Sequence, residues 1–345
     1  MLPVRLLSGR VRSGTLACRS GLFRHRALDD RPMHHHLSSS PDTVHWGWFD
    51  AALPHKLTID SGDQVTIESL SGGPANLPGD GFQVPPELLQ VHATSQRRLP
   101  GHILTGPVAV RGAQPGDVLE VRILDVQLRQ DWGYTFVRPL AGALPNEVEA
   151  FEQITTRLDP ARKVGLLPWG LEIPLRPFFG VMGVAPPKAW GAISSIQPRA
   201  HGGNLDNKEL VPGSTLYLPV FNEGAGFSVG DGHAVQGDGE VCTTAIETAL
   251  TGTFEIHLRK DMRLDYPAAE TPASLITMGM DPDLDTAARD ALRRMVDRVV
   301  QDTGLSRQRA LMLMSLVADV RVTQLVNEHK GIHVMLPKTA LQKPA

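Results

Sequence analysis

The sequence predicts a mainly β fold, and three observations carry that expectation. Glycine (33) and proline (27) are abundant while aromatic residues make up only 5% of the 345 residues. That mix favours short strands joined by tight turns over a helical bundle. Runs with a two-residue apolar period recur from Thr43 to about Val126 and again beyond Ser214. Helical periodicity is confined to the stretch after Asp281.

Taken in order, the runs at 57–60 (LTID) and 64–68 (QVTIE) flank Ser61, Gly62 and Asp63, a spacing that predicts a β-hairpin. Strands at 108–110 and 118–125 bracket a glycine–proline turn at 112–117. The polar, turn-rich stretch 68–107 is expected to be an excursion beside a site and not part of the core. Residues 127–200 mix proline and glycine with short apolar runs such as 178–187, and strands resume at 214–220 and 253–258. Asp281, Pro282 and Asp283 form a helix start. Ala288, Leu292, Met295 and Val299 follow at helical spacing, and Gly304 ends that helix. Ser306 caps a second helix carrying Ala310, Leu313, Met314, Val317 and Val320, and a final strand at 332–336 stops at Pro337.

Length suggests about two domains. The divisions expected are an extension at 1–32, a β-rich domain at 33–200, a site-bearing region with a C-terminal α/β part at 201–338, and a tail at 339–345. A formal charge of -3 argues against nucleic acid or an anionic membrane as partner, since both need a cationic surplus. No run of 18 apolar residues occurs, so no transmembrane helix is expected. Only Cys18 and Cys242 are present. Two distant thiols exclude a disulfide framework and thiolate zinc, and imply a reducing compartment, hence a cytoplasmic location. In residues 1–32 seven arginines occur with no acid before Asp29. The segment reads either as a transit peptide or as an over-extended reading frame whose true start is Met33, and in both cases as mobile.

Ligand-type side chains are densest at 201–247. The stretch holds His201, Asn204 and Asp206, then Asp231, His233, Asp238 and Glu240 alternating with small residues. In extended backbone, residues two apart point the same way, so Asp231 and His233 are aimed at one point. Carboxylates with imidazole and no thiolate suit a catalytic divalent ion that activates water beside a glutamate proton shuttle. The competing reading is a set of Asp-Gly turns with an ordinary polar histidine. His45 and Trp46, in the aromatic stretch 45–50, either line a substrate pocket or form an edge strand over a sandwich. His34 to His36 adjoin the tail, which argues against functional ligation. Rival chemistries lack their signatures. No G-x-S-x-G, P-loop or dinucleotide fingerprint occurs, Ser194 and Ser195 lack an amidase-signature setting, and Cys242 reads as an inert core thiol.

At these residues the sequence resembles the acetamidase/formamidase family. The carrying segments include 43–72, 101–123, 174–187, HGGNLDNKEL (201–210), GDGHAVQGDGEVCTTAIET (230–248), 259–279 and 322–338. The resemblance implies a jelly-roll-like N-terminal β-sandwich, a β-barrel-like region and a smaller C-terminal α/β part. It also implies a homo-oligomer and a divalent metal, zinc foremost. The activity implied is hydrolysis of formamide, acetamide or a somewhat larger linear amide to carboxylate and ammonia. Carried over, Asp206, Asp231 and His233 are metal ligands, Glu240 is the catalytic acid/base, and Asn204 polarises or orients the carbonyl. Gly226 stands where the family carries a larger apolar residue, which implies a wider pocket beside Phe227. The alternative function is a non-catalytic metal-containing β-sandwich binding module.

Overall fold

A computed structural model describes residues 32–342 of the chain. The expectations for residues 1–31 and for the last three lie outside the described residues. The fold is mainly β. Two large sheets pack face to face around one core that takes Val65, Val121, Phe254 and Ile256 from the first sheet and Val108, Phe179, Phe227 and Val229 from the second.

The first sheet runs, edge to edge, through strands His34–Leu37, Gln64–Glu68, Leu250–Arg259, Val118–Leu128, Thr215–Pro219, Ala268–Glu270, Ser274–Asp281, Lys330–Pro337 and Asp319–Gln324. Strands from both sides of residue 200 alternate within it, with Leu250–Arg259 inserted between Gln64–Glu68 and Val118–Leu128. The second sheet is centred on Phe227–His233, flanked by Phe178–Gly183 and Glu247–Thr248 and also paired with Ile103–Val110. Among the described residues no closed barrel forms, which corrects the barrel-like expectation. The strand order ends on the three-residue strands Glu172–Pro174 and Gly202–Asn204. In the latter, Gly202 and Gly203 pair with Gly183 and Met182 at φ of 86° and 88°, a backbone that glycine adopts without steric cost.

The expected hairpin at 57–68 does not form. Leu57–Ile59 pairs in parallel with Ile103–Val110 in the second sheet, whereas Gln64–Glu68 joins the first. Asp63 makes the corner: its carboxylate accepts the Asp60 N–H (2.9 Å) and the Met33 N–H (2.8 Å). Ile59, Val65 and Ile67 thereby face the common core from opposite sheets, and burial across the sandwich outweighs local pairing. His34 to His36 form an edge strand instead of belonging to a tail, with His35 Nε2 2.8 Å from Asp63 Oδ2. The stretch 68–107 holds an unforeseen helix, α1 (Pro86–Thr94), whose Leu88 and Val91 pack on Leu70 and Trp46 as a satellite core.

Both expected C-terminal helices are present. In α2 (Leu284–Thr303) the Asp283 side chain caps the Thr286 N–H and Gly304 closes the end at φ 71°. In α3 (Arg307–Val317) Ser306 caps the Arg309 N–H. Val320 belongs to the following strand and not to α3. Helix α2 lies so close to strand Ser274–Asp281 that a Cβ on Gly279 would sit 2.1 Å from the Ala287 carbonyl oxygen. Gly279→Ala must push the helix off the sheet. We expect a loss of about 1–3 kcal/mol in urea unfolding, with the slope unchanged.

Candidate metal centre

All seven residues of strand Phe227–His233 are buried. Glycine lets its neighbours close in, since a Cβ on Gly230 would meet the Ile103 carbonyl at 2.4 Å and one on Gly232 the Thr248 carbonyl at 2.5 Å. At its end Asp231 and His233 converge as expected, Asp231 Oδ2 lying 3.3 Å from His233 Nε2. Three further carboxylates surround the same nitrogen: Glu247 Oε2 at 3.4 Å, Glu240 Oε1 at 3.9 Å and Asp206 Oδ1 at 4.0 Å.

Each carboxylate arrives by a different route. Asp206 follows strand Gly202–Asn204, with its N–H on the Gly180 carbonyl (3.1 Å). Its Oδ2 accepts from Asn327 Nδ2 at 2.5 Å. Glu240 leaves the 237–239 turn, which is tied to strand Asp319–Gln324 through the Gly239 N–H to the Thr323 carbonyl (3.0 Å). Glu247 pairs with both His233 and Tyr134 across its short strand and accepts the Ala245 N–H at 3.0 Å. Asp206, Asp231 and Glu240 have φ of 48°, 55° and 44°. Three non-glycine residues in left-handed backbone at one point is strain of the kind held at functional sites.

The electrostatics are those of a site built for a cation. Burial, with Asp231 and Glu247 adding to it, pushes Asp206 up to about 8 against the pull of His233. Burial and Asp231 push Glu247 up to about 7, and burial with Asp206 raises Glu240 well above its ordinary range. Burial also works to raise Asp231, but His102 and His233 hold it below the usual carboxylate range. His233 is raised because Glu247 and Asp231 outweigh its desolvation. Asp206 Oδ1, Glu247 Oε2 and both His233 nitrogens are buried without a hydrogen bond. The ligand atoms of Asp206, His233 and Glu240 lie within 4.8 Å of one another, as do those of Asp231, His233 and Glu247. A Cβ on Gly180 would stand 2.7 Å from each of Asp206 Oδ1, Asp231 Oδ2 and His233 Cε1, so only glycine leaves the donors room. Orphaned oxygens and one imidazole fit a divalent ion.

The titrations give a signed expectation for metal-free protein. Asp206, Glu247 and His233 bind protons more tightly folded than unfolded, so their contribution to stability is present at acid pH and lost as pH rises through the folded values. Asp231, shifted the other way, adds no slope above about pH 5. The melting midpoint of chelated protein should therefore fall between about pH 5 and about pH 8, and a saturating divalent ion should flatten or reverse the fall. A metal-free midpoint that rises over this range contradicts the assignment.

Asp231, Glu247 and Asn327 line a cavity of about 560 Å³ together with His102 and Trp46, whereas Asp206, His233 and Glu240 are not among its lining residues. His102 Nε2 is 3.7 Å from Asp231 Oδ2, and its Nδ1 is 3.2 Å from Ser195 Oγ. The other sequence-named residues are placed elsewhere. Asn204 donates its amide to the Ile196 carbonyl (3.1 Å) and keeps its Oδ1 buried without a hydrogen bond; Ile196 lines the cavity and Asn204 does not. His45 is buried between the Trp48 carbonyl (2.6 Å) and Ser228 Oγ (3.1 Å), which leaves it pushed down to about 4 by burial. Gly226 packs against Ala185 and Pro107, and Phe227 is in the sandwich core; neither is among the lining residues. Asp238 is engaged by Arg321 and Lys208. Cys242 sits half-buried in a turn, not in a core strand.

Glu247, His102 and Asn327 were not foreseen. A lone glutamate inside the apolar run 245–250 was the available signal for the first. His102, directly before strand Ile103–Val110, and Asn327, in the bend after Asp319–Gln324, had none.

Residues 33–192 and 188–342 match the acetamidase/formamidase family. The structure resembles an acetamidase from Bacillus halodurans (31% identity, TM-score 0.77, covering 88% of this chain and 97% of that one). It also resembles an acetamidase from Yersinia enterocolitica (28% identity, TM-score 0.80, 91% and 95% covered). A formamidase of Methylophilus methylotrophus is 32% identical over 212 residues, 46% of this chain and 52% of the relative. The chain thus spans about half the length of that curated relative.

Proposed function

The chain belongs to the acetamidase/formamidase family, and from that premise we propose that it hydrolyses a linear carboxamide to carboxylate and ammonia at the His233 centre. The observation that carries this reading is the convergence of four buried carboxylates on one imidazole, two of them opening onto a cavity. Asp206, Asp231 and His233 would hold a divalent ion, which we take to be zinc. Bound there, the ion supplies a Lewis acid for the carbonyl and makes water a usable nucleophile near neutral pH.

The protein's own groups do the rest. The reaction breaks the C–N bond and forms a C–O bond, so one proton must travel from water to the leaving nitrogen. Glu247 is the carboxylate of the cluster that lines the cavity with an unbonded oxygen, and it moves that proton. Glu240, first in line from the sequence, stands with Asp206 and His233 and is not among the cavity's lining residues, so we take it to complete the ion's surroundings. His102 borders the reacting space beside Asp231, and Asn204 holds the Ile196 wall.

A homo-oligomeric, cytoplasmic protein completes the reading. Exposed Leu311, Met312 and Leu316 on α3 offer an apolar face for a second copy. No helix among the described residues is long and apolar enough to cross a membrane.

Ammonia release from formamide, acetamide, propionamide and an aryl amide, with metal content measured on the same sample, tests the proposal. Activity should fall with chelation and return with zinc. Full turnover in metal-free protein would remove the ion from the reaction. Metal-replete protein that releases no ammonia from any amide would leave a binding module.

A further inference from the structure

The cavity is far larger than the smallest amides require. It encloses about 560 Å³, whereas acetamide fills roughly the space of four waters, about 120 Å³. Cavities of this size ordinarily take ligands of many heavy atoms.

Its wall is graded. Strand Trp132–Val137 places Tyr134 and Phe136 on one face, and Arg138 follows two residues on. Tyr134 is buried and pairs with Glu247, so this end of the row stands at the reacting carboxylates. The Phe136 ring is stacked on Tyr134 at 6.4 Å and tilted against Phe151 at 5.6 Å, and Phe151 is exposed. The row therefore runs from floor to mouth, over about 13 Å of backbone between Tyr134 and Arg138.

The cavity carries charge of both signs. The only carboxylates among the lining residues are Asp231 and Glu247, at the inner end. Arg97 and Arg138 also line the cavity, both exposed, and neither is paired with a carboxylate among the described residues. Arg97 donates Nε to the Leu99 carbonyl at 3.3 Å, which leaves its terminal nitrogens available. Arg138 stands at the end of the aromatic row, and Arg97, whose charge also reaches Tyr134 and His102, lines the same cavity; guanidiniums with no carboxylate partner suit an anion at the end of an apolar chain.

We propose that the substrate of this site is a primary amide whose apolar acyl chain ends in an anionic group, the chain lying along Tyr134, Phe136 and Phe151 and the anion meeting Arg97 and Arg138. This rests on the amidase reading of the His233 centre. Hydrolysis would turn such a monoanion into a dianion plus ammonium, with the new carboxylate left at the inner, acidic end.

The test compares the full-length zinc protein on the monoamide of octanedioic acid and on octanamide, its chain-matched neutral counterpart. The expected ratio of kcat/KM, carboxylated over neutral, is about ten or more, and it should shrink as salt is added. In the R97Q/R138Q double variant the ratio should fall about ten- to a hundredfold. A wild-type ratio of one or below, or an unaltered ratio in the double variant, overturns the proposal. Should no amide be hydrolysed at all, the amidase reading fails first and binding still decides this one. Calorimetric titration with octanedioate should then give an affinity at least about tenfold weaker in the double variant. Equal affinities, or no binding to wild type, overturn it.

Discussion

His233→Ala should empty the centre of metal and lower kcat/KM for any hydrolysed amide by about three orders of magnitude or more. His233 supplies the only nitrogen among the converging donors, with four carboxylates placed 3.3–4.0 Å from its Nε2. Without the ring, Asp206 keeps Asn327 and Asp231 keeps His102, but no imidazole stands at the point where the carboxylates converge, and they take up protons instead of holding an ion. Several kcal/mol of transition-state stabilisation leave with the ion, and each 1.36 kcal/mol is tenfold in rate. Because the ring is fully buried against Phe178 (centroids 5.0 Å), the volume-keeping His233→Gln serves as a second variant should the alanine protein fold poorly. Elemental analysis and ammonia release on the same samples check the claim. A folded variant with wild-type metal content and turnover would falsify the centre outright.

Glu247→Gln should retain the ion yet lose about 10²- to 10⁴-fold in kcat, the ordinary worth of a general acid/base. Its Oε1 is fixed by the Ala245 N–H while Oε2 stays buried and unbonded at the cavity wall. An amide at this position preserves shape and removes the transferable proton. Glu240→Gln separates the two glutamates, because Glu240 groups with Asp206 and is not among the cavity's lining residues. Its loss should weaken metal affinity, and added zinc should recover much of the activity. If zinc rescues Glu247→Gln and leaves Glu240→Gln inactive, the two roles are exchanged.

Much of the fold was legible. Asp283, Gly304 and Ser306 announced two helices through their capping chemistry, and the structure uses all three as caps. Period-2 runs located the strands at 64–68, 118–128 and 250–259 to within a few residues. Partner choice was not legible. The 57–68 run has every local mark of a hairpin, yet Asp63 turns the chain from one sheet to the other. Local pattern says that Ile59 and Val65 must be buried and does not say in which sheet.

The site divides along the same line. Asp231 and His233 were readable because strand geometry joins residues two apart. Asp206 and Glu240 came within reach through the density of ligand-type residues and the family resemblance. Glu247 reaches His233 across a strand pair, Asn327 reaches Asp206 over 121 residues, and His102 meets Asp231 from the start of another strand.

By itself, then, the sequence determined a mainly β chain, its helix ends and the residue types of an oxygen-and-imidazole centre, all of which follow from short-range periodicity and side-chain chemistry. The tertiary structure alone decided which strands pair, that no barrel closes among the described residues, and which carboxylates face the cavity. Those outcomes depend on contacts between residues tens to hundreds of positions apart, where the free energy of burying two sheets against each other overrides what any local segment prefers.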